Sequence, residues 1–158
     1  MNQATVRSLF AYDSDSGNLV WRSKNLYHKR FNGRIAGGVE QKTGYHRVKI
    51  HGRSYQTHRL IWLYHYGYLP VELDHEDQNK LNNRLENLRE VTAKQNKQNY
   101  PLRKDNKYGC PGIHFRRGYY EVSIQGKYEA SFKTLEEAIA KRRSLEEERG
   151  FHSNHGVK

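Results

Sequence analysis

Two stretches of the chain repeat one pattern. Gly44-Tyr45-x-x-Val48-x-Ile50-x-Gly52-Arg53 is matched position for position by Gly118-Tyr119-x-x-Val122-x-Ile124-x-Gly126-Lys127. A period of two places Val48 with Ile50, and Val122 with Ile124, on one face of a strand. The glycine that follows supplies a hairpin turn, through His51-Gly52 in the first copy and Gly126-Lys127 in the second. A capped helix is expected after each hairpin. Thr57 is the expected cap of a helix from His58 to Tyr66, and Thr134 of one from Leu135 to about Arg149. Convergence on a common hairpin grammar accounts for this echo at least as well as duplication does.

Between and around the two copies the pattern changes. A short helical start from residue 7 leads into the turn formers Asp13 to Asn18, then a strand at Leu19-Val20-Trp21. Residues 23–43 are basic and contain glycine, with Lys24, Lys29, Arg30 and Arg34 suited to an exposed loop on a phosphate backbone. Gly67 ends the first capped helix and Pro70 prevents its continuation. Val71 to Leu73 reads as a strand, followed by a loop rich in Asn and Asp. Leu88 to Val91 is a second strand, and Thr92 caps a helix through Asn96. Residues 97–109 read equally as an exposed connector or as a strap that follows phosphates. Gly112 to Phe115, Tyr119 to Gln125 and Tyr128 to Phe132 are three further strands. Gly150 stops the last helix, and the final eight residues are expected to fray.

With 35% apolar residues and a mean hydropathy of -1.08 over 158 residues, one thick core is excluded in favour of small modules. Lys and Arg number 28 against 17 Asp and Glu, a net charge of +11, which points to a polyanionic partner. Tyrosine, present 12 times, can pack on a sheet and still reach a phosphate, although it also simply suits strands. Cys110 is the single cysteine, so an intramolecular disulfide and multi-cysteine zinc sites are excluded, in keeping with a reducing cytoplasm. His152 and His155 sit in the tail expected to fray, a poor cage for structural zinc. No apolar run approaches the roughly 18 residues of a membrane span. The N-terminus has no signal-peptide stretch, and a cytoplasmic protein is expected.

The chemistry concentrates in the centre. Asp74 and His75 are adjacent where a strand meets the polar loop, so extended backbone turns them to opposite faces. One can hold a metal while the other works on the substrate. Asn96 lies one turn into the following helix, where its amide oxygen can complete an oxygen-ligand site. Mg²⁺ accepts few protein ligands and keeps its waters. Neutral His75 can take a proton from water near neutral pH. The metal can stabilise phosphate charge. Asn87, just before the second strand, can bridge loop backbone and fix the direction of His75.

The residues His58-Arg59-Leu60-Ile61-Trp62, Leu73-Asp74-His75, Asn79 to Arg89, Val91-Thr92 and Asn96 together resemble the HNH endonuclease family, in its phage-borne and intron-borne homing or nicking subgroup. The resemblance implies Asp74 and Asn96 as metal ligands, His75 as general base and Asn87 as the brace of the loop. His58 matches a helix-start position. The chain departs at Gln78, where glycine is usual, and at Glu76, where an apolar residue is usual. The C-terminal stretch is similar to an AP2-type DNA-binding domain, through Tyr108-Gly109, Gly112-Ile113, three strands and Phe132 to Ala138. That similarity implies a sheet in the major groove, with His114, Arg116, Arg117, Tyr119 and Lys127 touching DNA. Arg34, Lys80, Arg84, Lys97, Arg103 and Lys104 complete the candidate DNA contacts.

The sequence therefore points to an α+β protein. A central ββα-metal module is flanked by small hairpin-helix units, with a C-terminal three-stranded antiparallel sheet plus helix. The expected divisions are a leader over 1–43, the nuclease core over 44–99, a basic linker over 100–109, the AP2-like domain over 110–150 and a tail over 151–158. The expected activity is hydrolysis of double-stranded DNA with one Mg²⁺ or Mn²⁺ ion per site, by a monomer without an obligate protein partner, in a bacterial cytoplasm if phage-encoded. Two readings compete with it: a DNA-binding protein on a non-catalytic HNH scaffold, and a toxin-like nuclease of low specificity.

Overall fold

Each copy of the repeated pattern forms the middle strand of a three-stranded antiparallel sheet. The computed structural model describes residues 1–22 and 31–157. Lys24, Lys29 and Arg30 lie outside the described residues. The chain divides into two compact units, Met1–Thr92 and Ala93–Lys158.

The first unit opens with α1 (Gln3–Leu9), then the hairpin of β1 (Phe10–Asp13) and β2 (Asn18–Trp21). Strands β3 (Gly38–Val39), β4 (His46–Ile50) and β5 (Arg53–Gln56) form its three-stranded sheet in chain order. Helix α2 (Thr57–Tyr66) follows, then β6 (Glu72–His75) pairs antiparallel with β7 (Leu88–Val91). Strand β1 was not anticipated, since Phe10-Ala11-Tyr12 reads as a continuation of the helical start. It forms because it pairs with β2 in register, Phe10 with Trp21 and Tyr12 with Leu19. Its Phe10 ring meets Trp21 at 4.5 Å. Val6, Leu19, Val48, Ile50 and Ile61 are fully buried together in the core of this unit. Each such side chain contributes roughly 1.5–3 kcal/mol of apolar burial.

Thr57 does not cap α2. It is the first helical residue, Gln56 stands at the cap position without a side-chain bond, and the Thr57 hydroxyl pairs instead with His46 Nδ1 at 2.8 Å. The helix stops as expected, with Gly67 in the left-handed conformation and its N–H donating to the Leu63 carbonyl.

The second unit holds α3 (Ala93–Lys97), β8 (Ile113–Arg116), β9 (Tyr119–Ile124), β10 (Lys127–Phe132) and α4 (Leu135–Glu148). Thr134 caps α4 in a full capping box with Glu137. Val122 and Ile124 repeat the burial of Val48 and Ile50, so the echo in sequence is an echo of sheet, register face and following helix. The β9–β10 turn is Gln125-Gly126, one place earlier than the sequence suggests, and both residues have positive φ. Cys110 lies at zero exposure in the core of this unit, and burial pushes its thiol up from the usual range.

Hydrogen bonds tie the end of the described chain to residues 100–102. Leu102 N–H donates to the Val157 carbonyl, and Gly156 N–H to the Tyr100 carbonyl. Phe151 packs on the core, and its ring lies 5.4 Å from the Arg142 guanidinium. Arg142 is itself buried, paired with Glu146 at 2.9 Å and donating through Nε to the Pro111 carbonyl. The tail is held because it covers this buried charge pair, which would be costly without partners.

Among the described residues, no helix is long and apolar enough to cross a membrane.

Candidate active site

Strands β6 and β7 set the frame of the site. Their register places Asp74 opposite Arg89 and His75 opposite Leu88. Asp74 accordingly forms an ion pair with Arg89 at 3.1 Å, its side chain only 14% exposed. His75 points to the other face and is buried at 4% exposure. The alternation expected of adjacent residues on a strand is thus observed.

The loop between the strands is tied by its own amides. Asn87 and Asp77 exchange two bonds: Asp77 N–H donates to Asn87 Oδ1 at 3.0 Å, and Asn87 Nδ2 donates to Asp77 Oδ1 at 2.9 Å. Asn87 Nδ2 also reaches the Asn82 carbonyl at 2.8 Å. Asp77 further accepts from the Asn79 N–H and from Asn82 Nδ2. Burial alone would raise the Asp77 carboxyl, but these hydrogen bonds outweigh it and hold the group below its usual range. Gln78 adopts φ +63, the left-handed conformation for which glycine is best suited.

Asn83 was not singled out from the sequence. Its Oδ1 lies 3.1 Å from His75 Nε2, and the residue is 1% exposed. An amide oxygen only accepts, so the contact takes the tautomer with hydrogen on Nε2 and the lone pair on Nδ1. Asn87 braces the loop, while the direct contact that orients the imidazole comes from Asn83. Four asparagines crowd residues 79–87, and no local signal separates the buried one from its neighbours.

The rings of His58 and Tyr45 pack against His75. His58 meets it edge-on at 5.0 Å, and Tyr45 lies 5.3 Å from His58 and 6.1 Å from His75. Tyr45 comes from the repeated pattern, so the first sheet supplies part of the wall. His58 is 4% exposed and its Nδ1 has no hydrogen-bond partner. Burial, then the neighbouring His75 and Arg59, push it down to about 3. His58 therefore stays neutral at working pH and adds no charge beside His75.

That depression has a testable sign. The unfolded chain binds a proton at His58 below about pH 6.5, whereas the folded chain does not until about pH 3. The stability it protects is complete above about pH 6.5 and falls with acidification, by about 1.4 kcal/mol at pH 5.5. Urea midpoints of the wild type at pH 7.5 and 5.5, beside those of His58→Leu, measure it. Identical pH dependence in the two proteins would remove His58 as the cause.

The N-terminal hairpin, to which no motif gave a role, supports this loop. Leu85 N–H donates to the Tyr12 hydroxyl at 2.9 Å, and Arg84 Nε donates to the Asp15 carbonyl at 2.8 Å. Gly17 has φ +70, and a Cβ there would stand 2.5 Å from Arg84 N. The turn and the loop therefore close on each other at backbone distance.

The remaining candidate residues divide by unit. Lys80 Nζ donates to the Thr43 carbonyl and lies 4.7 Å over the Tyr45 ring, and Arg34 is exposed. Asn96 lies on α3, half-buried, in the second unit, whereas Asp74, His75 and Asn87 are brought together in the first. Lys97 and Lys104 are exposed, and Arg103 is paired with Asp105 at 2.9 Å. His114, Arg116 and Tyr119 share one exposed face of the second sheet, with Arg117 in its turn and Lys127 exposed at its end. Arg116 approaches Glu121 at 3.9 Å.

Asp74 and Asn96 each carry a side-chain oxygen donor, the type Mg²⁺ and Mn²⁺ take. Among the described residues, no group of three or more His, Cys, Asp or Glu forms a cage. No curated protein and no solved structure matches the chain. The segment that carries the end of β5, α2, the β6–β7 pair with its amide-tied loop, and α3 does have a counterpart: residues 55–98 match the HNH endonuclease family.

Proposed function

We propose that this chain is a divalent-metal-dependent HNH endonuclease that hydrolyses phosphodiester bonds of double-stranded DNA. The observation that carries the reading is His75 beside Asp74, held by Asn83 at 3.1 Å on the strand of a loop braced by Asn87. His75 takes the proton of the attacking water on Nδ1. The Nε2–H keeps its bond to Asn83 as the ring becomes imidazolium, so orientation is preserved through the transfer. Neutral His58 leaves that new charge unopposed. Asp74 would help to hold the ion, which supplies stabilisation of phosphate charge and of the leaving oxygen when bound. The ion pair with Arg89 holds the Asp74 carboxylate in one direction.

The net charge of +11 supports a DNA substrate, and the exposed His114, Arg116, Arg117, Tyr119 and Lys127 support an AP2-like role for the second sheet. Such a module suits a site-directed, homing-type enzyme.

The direct test is a time course on supercoiled plasmid with Mg²⁺ or Mn²⁺, with and without EDTA. Conversion to open-circle or linear DNA that EDTA abolishes is the expected result, and the product ratio separates nicking from double-strand cleavage. A gel shift without loss of supercoils under either metal would instead favour a binding protein on an HNH scaffold.

A further inference from the structure

The second unit carries a groove of about 670 Å³ between residues 97–108 and strand β8 that the nuclease centre does not use. Two of its rings are largely in solvent, Tyr100 at 55% and Phe115 at 51% exposure. Phe115 is not loose. It rests on Tyr120 at 4.8 Å, and Tyr120 is in turn met edge-on by Tyr108 at 5.8 Å. One side of the Phe115 ring is thus supported by the core while the ring stays half in solvent. An apolar ring kept in this state is a prepared stacking surface.

The rim is cationic. Lys97 and Lys107 line it, and the carboxylate in the lining, Asp105, is already neutralised by Arg103 at 2.9 Å. Cations beside supported aromatic faces match a strand whose bases are turned out, because phosphates meet the charges and ring faces meet the rings. A duplex offers phosphates and base edges but no base faces. We propose that this groove binds single-stranded DNA, stacking an unpaired base on Phe115 and another on Tyr100. The inference takes from the proposed function only that the polymer is DNA, and it is independent of catalysis.

The test is fluorescence anisotropy of the full chain with labelled oligo(dT), against an unlabelled duplex of equal length as competitor. The wild type should hold the single strand against the duplex. Phe115→Ala and Tyr100→Ala should each weaken oligo(dT) by about fivefold to a hundredfold, the loss of one base stack, with affinity for duplex unchanged. His75→Ala should bind oligo(dT) as the wild type does, so failure of the cleavage reading leaves this result intact. Both truncations remove exposed rings, and thermal melts check that the fold is kept. Photocrosslinking of a bromodeoxyuridine strand to the wild type gives a second readout, with adducts expected between residues 100 and 116. Duplex that displaces oligo(dT) at parity, two alanine variants that bind it normally, or adducts confined elsewhere would each overturn the proposal.

Discussion

His75→Ala should lower the proposed plasmid cleavage by about 10²–10⁴-fold, the usual contribution of a positioned general base. The residue is buried at 4% exposure, so truncation also leaves a cavity, and loss of fold must be separated from loss of chemistry. His75→Gln separates them. Its amide can still donate to Asn83 Oδ1 but takes no proton from water, so cleavage should stay lost while the urea midpoint recovers. Asn83→Ala should fall between wild type and His75→Ala, because it removes the orienting contact but leaves the base. A His75→Gln protein that cuts plasmid at the wild-type rate would end the general-base assignment.

Asn87→Asp should be the most damaging isosteric change in the loop. It replaces two donated bonds, to Asp77 Oδ1 at 2.9 Å and to the Asn82 carbonyl at 2.8 Å, with a second carboxylate facing Asp77. Two part-buried acceptors lose their donor and like charges meet, a cost of roughly 1–3 kcal/mol. Cleavage should fall with it, since the same loop carries Asn83. Adding Asp77→Asn restores one donor and removes one charge, so the double variant should regain part of both stability and rate. Chemical unfolding of the single and double variants measures the coupling. An Asn87→Asp protein of wild-type stability, or no gain in the double variant, would show that the reciprocal bonds do not hold the loop.

Local grammar in the sequence carried the hairpins, the bounds of β7 at Leu88–Val91 and the cap of α4 at Thr134. All of these depend on residues within a few positions of each other. The same grammar failed at Thr57, where the hydroxyl prefers His46, eleven residues away, to its own helix end. It also failed at β1, which exists through its pairing with β2. Within the site, adjacency exposed Asp74 and His75, and the position of Asn87 before a strand suggested a brace. Asn83 and Asp77 stayed hidden, since their roles follow from which side of an irregular loop is buried. The support from Tyr12 spans 73 residues of sequence, and nothing near Tyr12 announces it. The ties of the tail are hidden for a similar reason. Its polar composition resembles a frayed end, yet its anchors are the Tyr100 carbonyl and the Leu102 N–H.

Cys110 gives the molecule a built-in clock. It is the chain's one thiol, it lies at zero exposure, and its environment disfavours the reactive thiolate. A thiol dye can therefore label this protein only when the second unit opens. The labelling rate under native conditions counts those openings and is blind to breathing of the hairpin that supports Asn83 and His75. Compared with the rate of the proposed DNA cleavage, it tells whether the sheet of the second unit must loosen for that activity.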